Sequence, residues 1–274
     1  DQISAFLMQD TDVYFTSDFS EEGFVFAPFN DKEKAILFPK EKAIFIKEML
    51  ANNIFFENKT NEDNVIADKE AHFKLVEKSL QKIYKEDFKK VVISRKETVE
   101  LQQFTMMQTF KKMLHNYTNA FVYCWFHPKV GLWFGATPET LLYIDKNEFT
   151  TMSLAGTQVY KDENNVVWGA KELEEQQLVT DFIANQLKTI TSNLNIDKTE
   201  TVKAGNLLHL KTKVTGNLLP DSNLKDLIRS LHPTPAVCGL PREITKAFII
   251  KNENYSRSFY TGFLGELNQS KTKT

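Results

Sequence analysis

The sequence predicts an α+β fold built as a single domain. Apolar runs rich in β-branched and aromatic residues, each of strand length, crowd the middle of the chain with short connections, as antiparallel neighbours do. Long helical periodicities interrupt these runs without alternating with them one for one, which argues for helices laid over large sheets. No Gly-, Ser- or Pro-rich linker divides the 274 residues, and Gly and Pro number only 10 and 8. A chain of this length buries a large core without disulfide staples.

In chain order, Gly23–Phe29 and Lys34–Pro39 read as short apolar strands, and the polar stretch from Glu57 to Asp68 as a loop. Phe73, Val76, Leu80 and Ile83 recur at helical spacing and predict a helix from Lys69 to Tyr84. A strand is expected from Lys90 to Val99, then a helix carrying Leu101, Phe104, Met107, Phe110 and Leu114 on one side. Four strands follow, at Ala120–Pro128, Val130–Thr137, Thr140–Asp145 and Glu148–Thr157. A long helix spans Trp168 to Ile190, and Glu200–Leu218 reads as a hairpin-like pair. Ser222 is the expected N-cap of a short helix ending at Leu231. Pro241 opens another helix at its favoured first position, and Arg257–Leu267 is a last strand.

Lys and Arg total 34 against 36 Asp and Glu, a net charge of −2. That balance gives no electrostatic case for nucleic acid or an anionic membrane, and neither is an expected partner. No apolar run approaches the ~18 residues of a membrane span. Cys124 and Cys238 lie far apart and outside any metal or redox spacing, as reduced thiols of a cytoplasmic protein do. The first residue is not Met and the tail is polar, so both ends read as cut points. Nucleotide-loop, zinc-protease and serine-hydrolase motifs are missing from the sequence.

The long helix carries the sharpest chemical signal. At ~100° per residue, Glu172, Glu175, Val179, Ile183, Leu187 and Ile190 share one side, while Glu174, Gln177, Asp181, Asn185 and Lys188 share the other. Two carboxylates one turn apart on a buried stripe require a cation or a shared proton, and oxygen donors suit Mg²⁺. The alternative is an exposed first turn whose acids favour the positive end of the helix. Lys90 opens a strand with Val92 and Ser94 on its face; desolvated, it would be a general base, and otherwise it snorkels to water. Glu139 follows a Gly-Ala-Thr-Pro turn, as a general acid or as a plain turn residue. The segments around Gly156 and Gly239 set glycine beside small residues, where backbone can approach a ligand or simply turn. His209 alternates with Leu208 and Leu210 and faces away from both.

Together and in this order, KKVVISR, FGATPETLL, SLAGT, KELEEQQLVTDFI, HLKTKVTGNL, LHPTPAVCGLP and RSFYTGFLGEL resemble the chorismate-utilising enzymes, from Lys90 to Leu267. Residues 1–85 look like that family's variable N-terminal part, and 86–267 like its motif-bearing catalytic part. The resemblance implies two packed antiparallel sheets flanked by helices, with Mg²⁺ as cofactor and chorismate as substrate. It places Lys90 as the base that activates water and Glu139 as the acid that protonates the departing C4 hydroxyl. It makes Glu172 and Glu175 metal ligands, and Ala155, Gly156 and Thr157 a substrate loop. His209, Ala236, Val237, Gly239 and Tyr260 are then substrate-binding.

Within the family, a lysine at position 90 suits water as nucleophile, and Ala155 stands where a covalent lysine would lie in one amine-forming branch. LHPTPAV is most similar to isochorismate synthases of menaquinone or siderophore biosynthesis. The expectation is therefore an isochorismate synthase, an isomerase, and a monomer. Salicylate synthase, an anthranilate synthase component I-like enzyme and a non-catalytic member stay open. Gln176 and Cys238 depart from the family pattern, which has His and a small residue there. The family's carboxylate-binding Arg and second Glu pair are expected beyond Thr274, so residues 1–274 alone should turn over little chorismate.

Overall fold

A computed structural model describes residues 2–49, 69–101, 103–161 and 166–268; the loop expected at 57–68 lies outside them. The chain runs β1 (Gln2–Met8), β2 (Tyr14–Thr16), β3 (Gly23–Ala27), β4 (Ala35–Pro39), β5 (Ala43–Met49), α1 (Lys69–Tyr84) and β6 (Lys90–Val91). It continues through α2 (Met106–Asn116), β7 (Phe121–His127), β8 (Gly131–Thr137), β9 (Tyr143–Asp145), β10 (Glu148–Val159) and α3 (Ala170–Leu187). Then come β11 (Thr191–Ile196), β12 (Glu200–Ala204), β13 (Leu207–Leu218), α4 (Leu224–Leu231), β14 (Gly239–Leu240), α5 (Arg242–Asn252) and β15 (Phe263–Leu267). All strand pairings among the described residues are antiparallel.

Two larger sheets carry the fold. One runs β11-β13-β10-β9 with β12 also on β13; the other runs β15-β3-β4-β2. In the first, β10 buries Phe149, Thr151 and Ser153 at every second position, and β13 buries Leu208, Leu210, Thr212 and Val214. Helix α3 lays Val179, Ile183 and Leu187 on that face. In the second sheet, β3 and β4 are buried nearly throughout, which is why they read as unbroken apolar runs. One face holds Val25, Ala27, Ala35 and Leu37; the other holds Phe26, Ile36 and Phe38 against Trp125 of β7. Phe26 also stacks on Phe259 with ring centroids 4.2 Å apart. Helix α4 joins the two sheets, because Leu227 and Leu231 enter the first core while Ile228 enters the second.

The expected α+β class and paired antiparallel sheets are thus present. Local differences have physical causes. The strand expected to reach Val99 stops at Val91, because the ladder with Gly239 and Leu240 covers only Lys90 and Val91 among the described residues. Helix α2 starts at Met106, so Leu101 and Phe104 precede it and stay exposed. Helix α1 has its expected bounds but turns Phe73 and Leu80 outward and buries Ser79, whose hydroxyl donates to the Leu75 carbonyl. The N-cap of α4 is Asn223, whose side chain accepts from the Asp226 N–H, while Ser222 donates to the Ile190 carbonyl. β1, β2, β5 and β11 were not legible as strands; β1 and β5 form a separate ribbon with much exposed surface.

Candidate active site

Lys90 is placed by the pairing of β6 with β14. Its neighbours are locked on both sides: the Lys89 N–H donates to Leu240 O at 2.8 Å and the Val92 N–H to Cys238 O at 2.8 Å. Gly239 makes this approach possible at φ +149°, since a Cβ there would lie 2.4 Å from the Lys90 carbonyl oxygen. The lysine side chain is only 10% exposed, and its Nζ lies 3.0 Å from Glu175 Oε1. The pair is close but poorly aligned, and no acceptor among the described residues meets hydrogen-bond geometry at Nζ. Burial pulls the ammonium below its ordinary pKa, with Glu175 and then Glu139 opposing.

Glu139 sits beyond the end of β8, where its N–H donates to the Thr137 hydroxyl at 3.2 Å. Part of its surface stays open, but its carboxyl is crowded by protein atoms. That desolvation pushes its pKa up to about 7, against the pull of Lys90. Lys90 and Glu139 therefore feel one another, and each is moved from its ordinary range towards neutrality.

The phase expected of α3 holds in space. Glu172 and Glu175 are half-buried on the inward side, with side chains 23% and 27% exposed, while Glu174 points to solvent. Glu172 curls back over the helix start, so that a Cβ on Gly169 would meet its Oε2 at 2.7 Å. It also lies against Gly156, whose φ of +68° forms a bulge between Ala155 and Thr157 in the β10–β13 pairing. A Cβ at Gly156 would approach the Glu172 Cβ at 3.3 Å.

The same bulge gathers the 155–157 segment, expected from the sequence to meet substrate. Thr157 stands opposite His209, whose Nδ1 lies 3.2 Å from both the Thr157 hydroxyl and the Gly156 carbonyl. Ala155 is buried, and Ala236 packs partly against the first core. Val237 is tied through its carbonyl to Arg257 Nη1 at 2.9 Å. Tyr260 is 49% exposed, and its ring is 5.9 Å from the same guanidinium. Lys90, Glu139 and Glu175 thus form one cluster, and Glu172, Gly156, Thr157 and His209 a second, bridged by one turn of α3. Tyr260 lies beside Arg257.

Gln176 proves to be a hub that spacing alone did not reveal. Its Nε2 donates to Ser153 O at 3.2 Å, Ser153 Oγ at 2.8 Å and Thr212 Oγ1 at 2.9 Å, and its Oε1 accepts from the Ala155 N–H at 2.9 Å. It therefore fixes Ala155, the first residue of the 155–157 segment, while its neighbour Glu175 faces Lys90. A polar residue on a buried helical stripe was the available signal.

Residues 29–272 match the family described as chorismate binding enzyme. The chain belongs to that family. The match begins well upstream of Lys90, where the sequence motifs start. Among curated relatives, isochorismate synthase of Pasteurella multocida is 31% identical over 139 residues, covering 48% of this chain and 32% of the relative. Isochorismate synthase of Haemophilus influenzae is 25% identical over 199 residues, covering 69% of this chain and 46% of the relative. The chain thus spans about a third to a half of the curated relatives it matches. Two solved structures share the fold. A 2,3-dihydroxybenzoate-specific isochorismate synthase of Bacillus anthracis aligns at TM-score 0.72 and 24% identity, over 90% of this chain and 69% of that one. The menaquinone-specific isochorismate synthase of Escherichia coli aligns at TM-score 0.70 and 16% identity, over 97% and 82%.

The acidic side chains of α3 can be set against the hard oxygen donors that Mg²⁺ takes. Glu172 and Glu175 offer hard oxygen ligands on successive turns, both half-buried, with Glu175 paired to Lys90 and Glu172 turned back over Gly169. Among the described residues no cluster of three or more His, Cys, Asp or Glu side chains is assembled for a metal. The two carboxylates would supply at most part of the oxygen shell that Mg²⁺ takes, with water or substrate oxygens needed for the rest.

Proposed function

We propose that the protein is an isochorismate synthase, which reversibly converts chorismate to isochorismate by adding water at C2 and releasing the C4 hydroxyl. The observation that carries this reading is the Lys90–Glu139 pair: a lysine with a lowered pKa and a carboxyl with a raised one, coupled in a single buried cluster. Proton transfer at both ends of an allylic exchange needs such a pair. Neutral Lys90 Nζ takes a proton from the attacking water as its oxygen bonds to C2. The double bond shifts, the C4–O bond breaks, and Glu139 protonates the departing oxygen. In the reverse direction the two residues exchange roles, so each must be able both to give and to take a proton. Relatives named isochorismate synthase support the same choice among the family's reactions.

Glu172 and Glu175 would hold Mg²⁺, which when bound supplies positive charge for the ring carboxylate. Gly156 brings backbone close to that region because it lacks a Cβ. Thr157 and His209 offer polar contacts to the substrate beside it. The test is incubation of the full natural chain with chorismate and Mg²⁺, with product chromatography. Isochorismate as the product supports the reading; salicylate formed without an added lyase makes the protein a salicylate synthase instead.

A further inference from the structure

The buried pair Glu253–Arg257 lies outside the catalytic cluster, yet it touches both segments that frame it. The two side chains are 1% and 3% exposed. Every N–H of the guanidinium is used. Nε donates to Glu253 Oε2 at 2.8 Å, and Nη2 to Glu253 Oε1 at 2.6 Å and Val92 O at 2.8 Å. Nη1 donates to Val237 O at 2.9 Å and Thr261 Oγ1 at 3.2 Å. Glu253 Oε1 also accepts from the Ser94 N–H and hydroxyl, both at 2.8 Å. The Phe29 ring lies 4.5 Å from the guanidinium carbon.

A buried ion pair commonly gives no more stability than apolar groups of the same shape, because both charges must leave water. What this pair supplies is geometry. Val92 and Ser94 directly follow the strand that carries Lys90, and Val237 opens the segment whose Gly239 and Leu240 pair with Val91 and Lys90. We propose that Glu253–Arg257 is a positioning clamp that fixes the Lys90 segment against the 236–239 loop. Its effect on turnover rests on the function proposed above. Arginine is needed because a lysine has three donors on one nitrogen and cannot span Glu253, Val92 and Val237 together.

Cys238 gives a readout independent of turnover. It is fully buried between Val237 and Gly239, and burial raises its thiol pKa, so it should resist thiol reagents while the loop is held. The experiment compares the full natural chain with Arg257→Lys, and with a double variant Glu253→Met/Arg257→Met that leaves no lone buried charge. Each is read by thermal melting, by the rate of Cys238 labelling from peptide mass spectrometry, and by kcat and KM for chorismate. The expected result is a folded protein in which Cys238 labels about tenfold faster. The kcat should fall by about 10–100-fold, since a small misplacement of a reacting group has that effect, while KM moves by less than about threefold. If Arg257→Lys does not fold, the double variant decides. Folded variants with unchanged labelling and unchanged kcat would overturn the clamp and leave a purely structural pair. If the unaltered protein converts no chorismate, the proposed function falls, and labelling alone decides the clamp.

Discussion

Glu139 gains its chemistry at a cost to the fold. Its pKa is about 7 in the folded chain against an ordinary 4.5, so between those values the folded state holds more protons than the unfolded one. Stability contributed by this group is therefore complete below about pH 4.5, declines through pH 7, and stays lost above it. Glu139→Gln should raise stability at pH 8 by on the order of 2 kcal/mol, discounted for the surface left open, and add little at pH 4. Denaturant melts at the two pH values check this, and an equal effect at both would place the carboxyl in water. A direct check is infrared titration of the protonated carboxyl band, with a midpoint near pH 7 that is absent in Glu139→Gln. The same substitution should lower turnover by ~10²–10⁴-fold, as should Lys90→Ala. Unchanged turnover in Lys90→Ala would show that another group is the base. The sequence marked both residues as candidates and the family resemblance gave them roles, but their pKa shifts depend on burial by segments distant in sequence and could not be read there.

Among elements, α3 was the most legible, because its periodicity is long and its polar and apolar sides are distinct. Its direction yields a comparison between adjacent, chemically identical residues. Glu175→Ala should weaken the Mg²⁺ dependence of turnover at least tenfold more than Glu174→Ala, by order of magnitude for a metal carboxylate against a solvated one. Equal effects would contradict either the metal assignment or the inward direction of Glu175. β6 was the least legible. Its apolar residues suggest a long strand, but strand length depends on a partner, and β14 offers only Gly239 and Leu240. Gly239→Ala would drive a methyl into the Lys90 carbonyl, and should cost about 1–3 kcal/mol in chemical denaturation together with much of the activity. A variant of wild-type stability would mean that the β6–β14 contact is looser than described. The Glu253–Arg257 spacing is visible in the sequence, but an i,i+4 pair usually sits on a helix surface, so nothing local marked it as buried.

At the scale of the molecule, antiparallel pairing and helical cover followed from the order of apolar runs. The separation of strands into different sheets did not. β7–β8 and β9–β10 are neighbouring hairpins in sequence, yet β7 packs on the far face of β3–β4 while β10 joins the first sheet. Only the completed core, with α4 shared between the sheets, makes that division. It also sets Lys90, Glu139 and Glu175 together from β6, the end of β8 and α3, none of them adjacent in the chain. On the proposed function, this convergence performs a water exchange on chorismate. The most direct measurement supplies chorismate in ¹⁸O-labelled water with Mg²⁺ and analyses the product of the full natural chain by chromatography and mass spectrometry. The expected product is isochorismate carrying one ¹⁸O at the C2 hydroxyl, formed by the unaltered protein and lost in Lys90→Ala. Isochorismate without the label, or a product bearing nitrogen when ammonia is present, would contradict it.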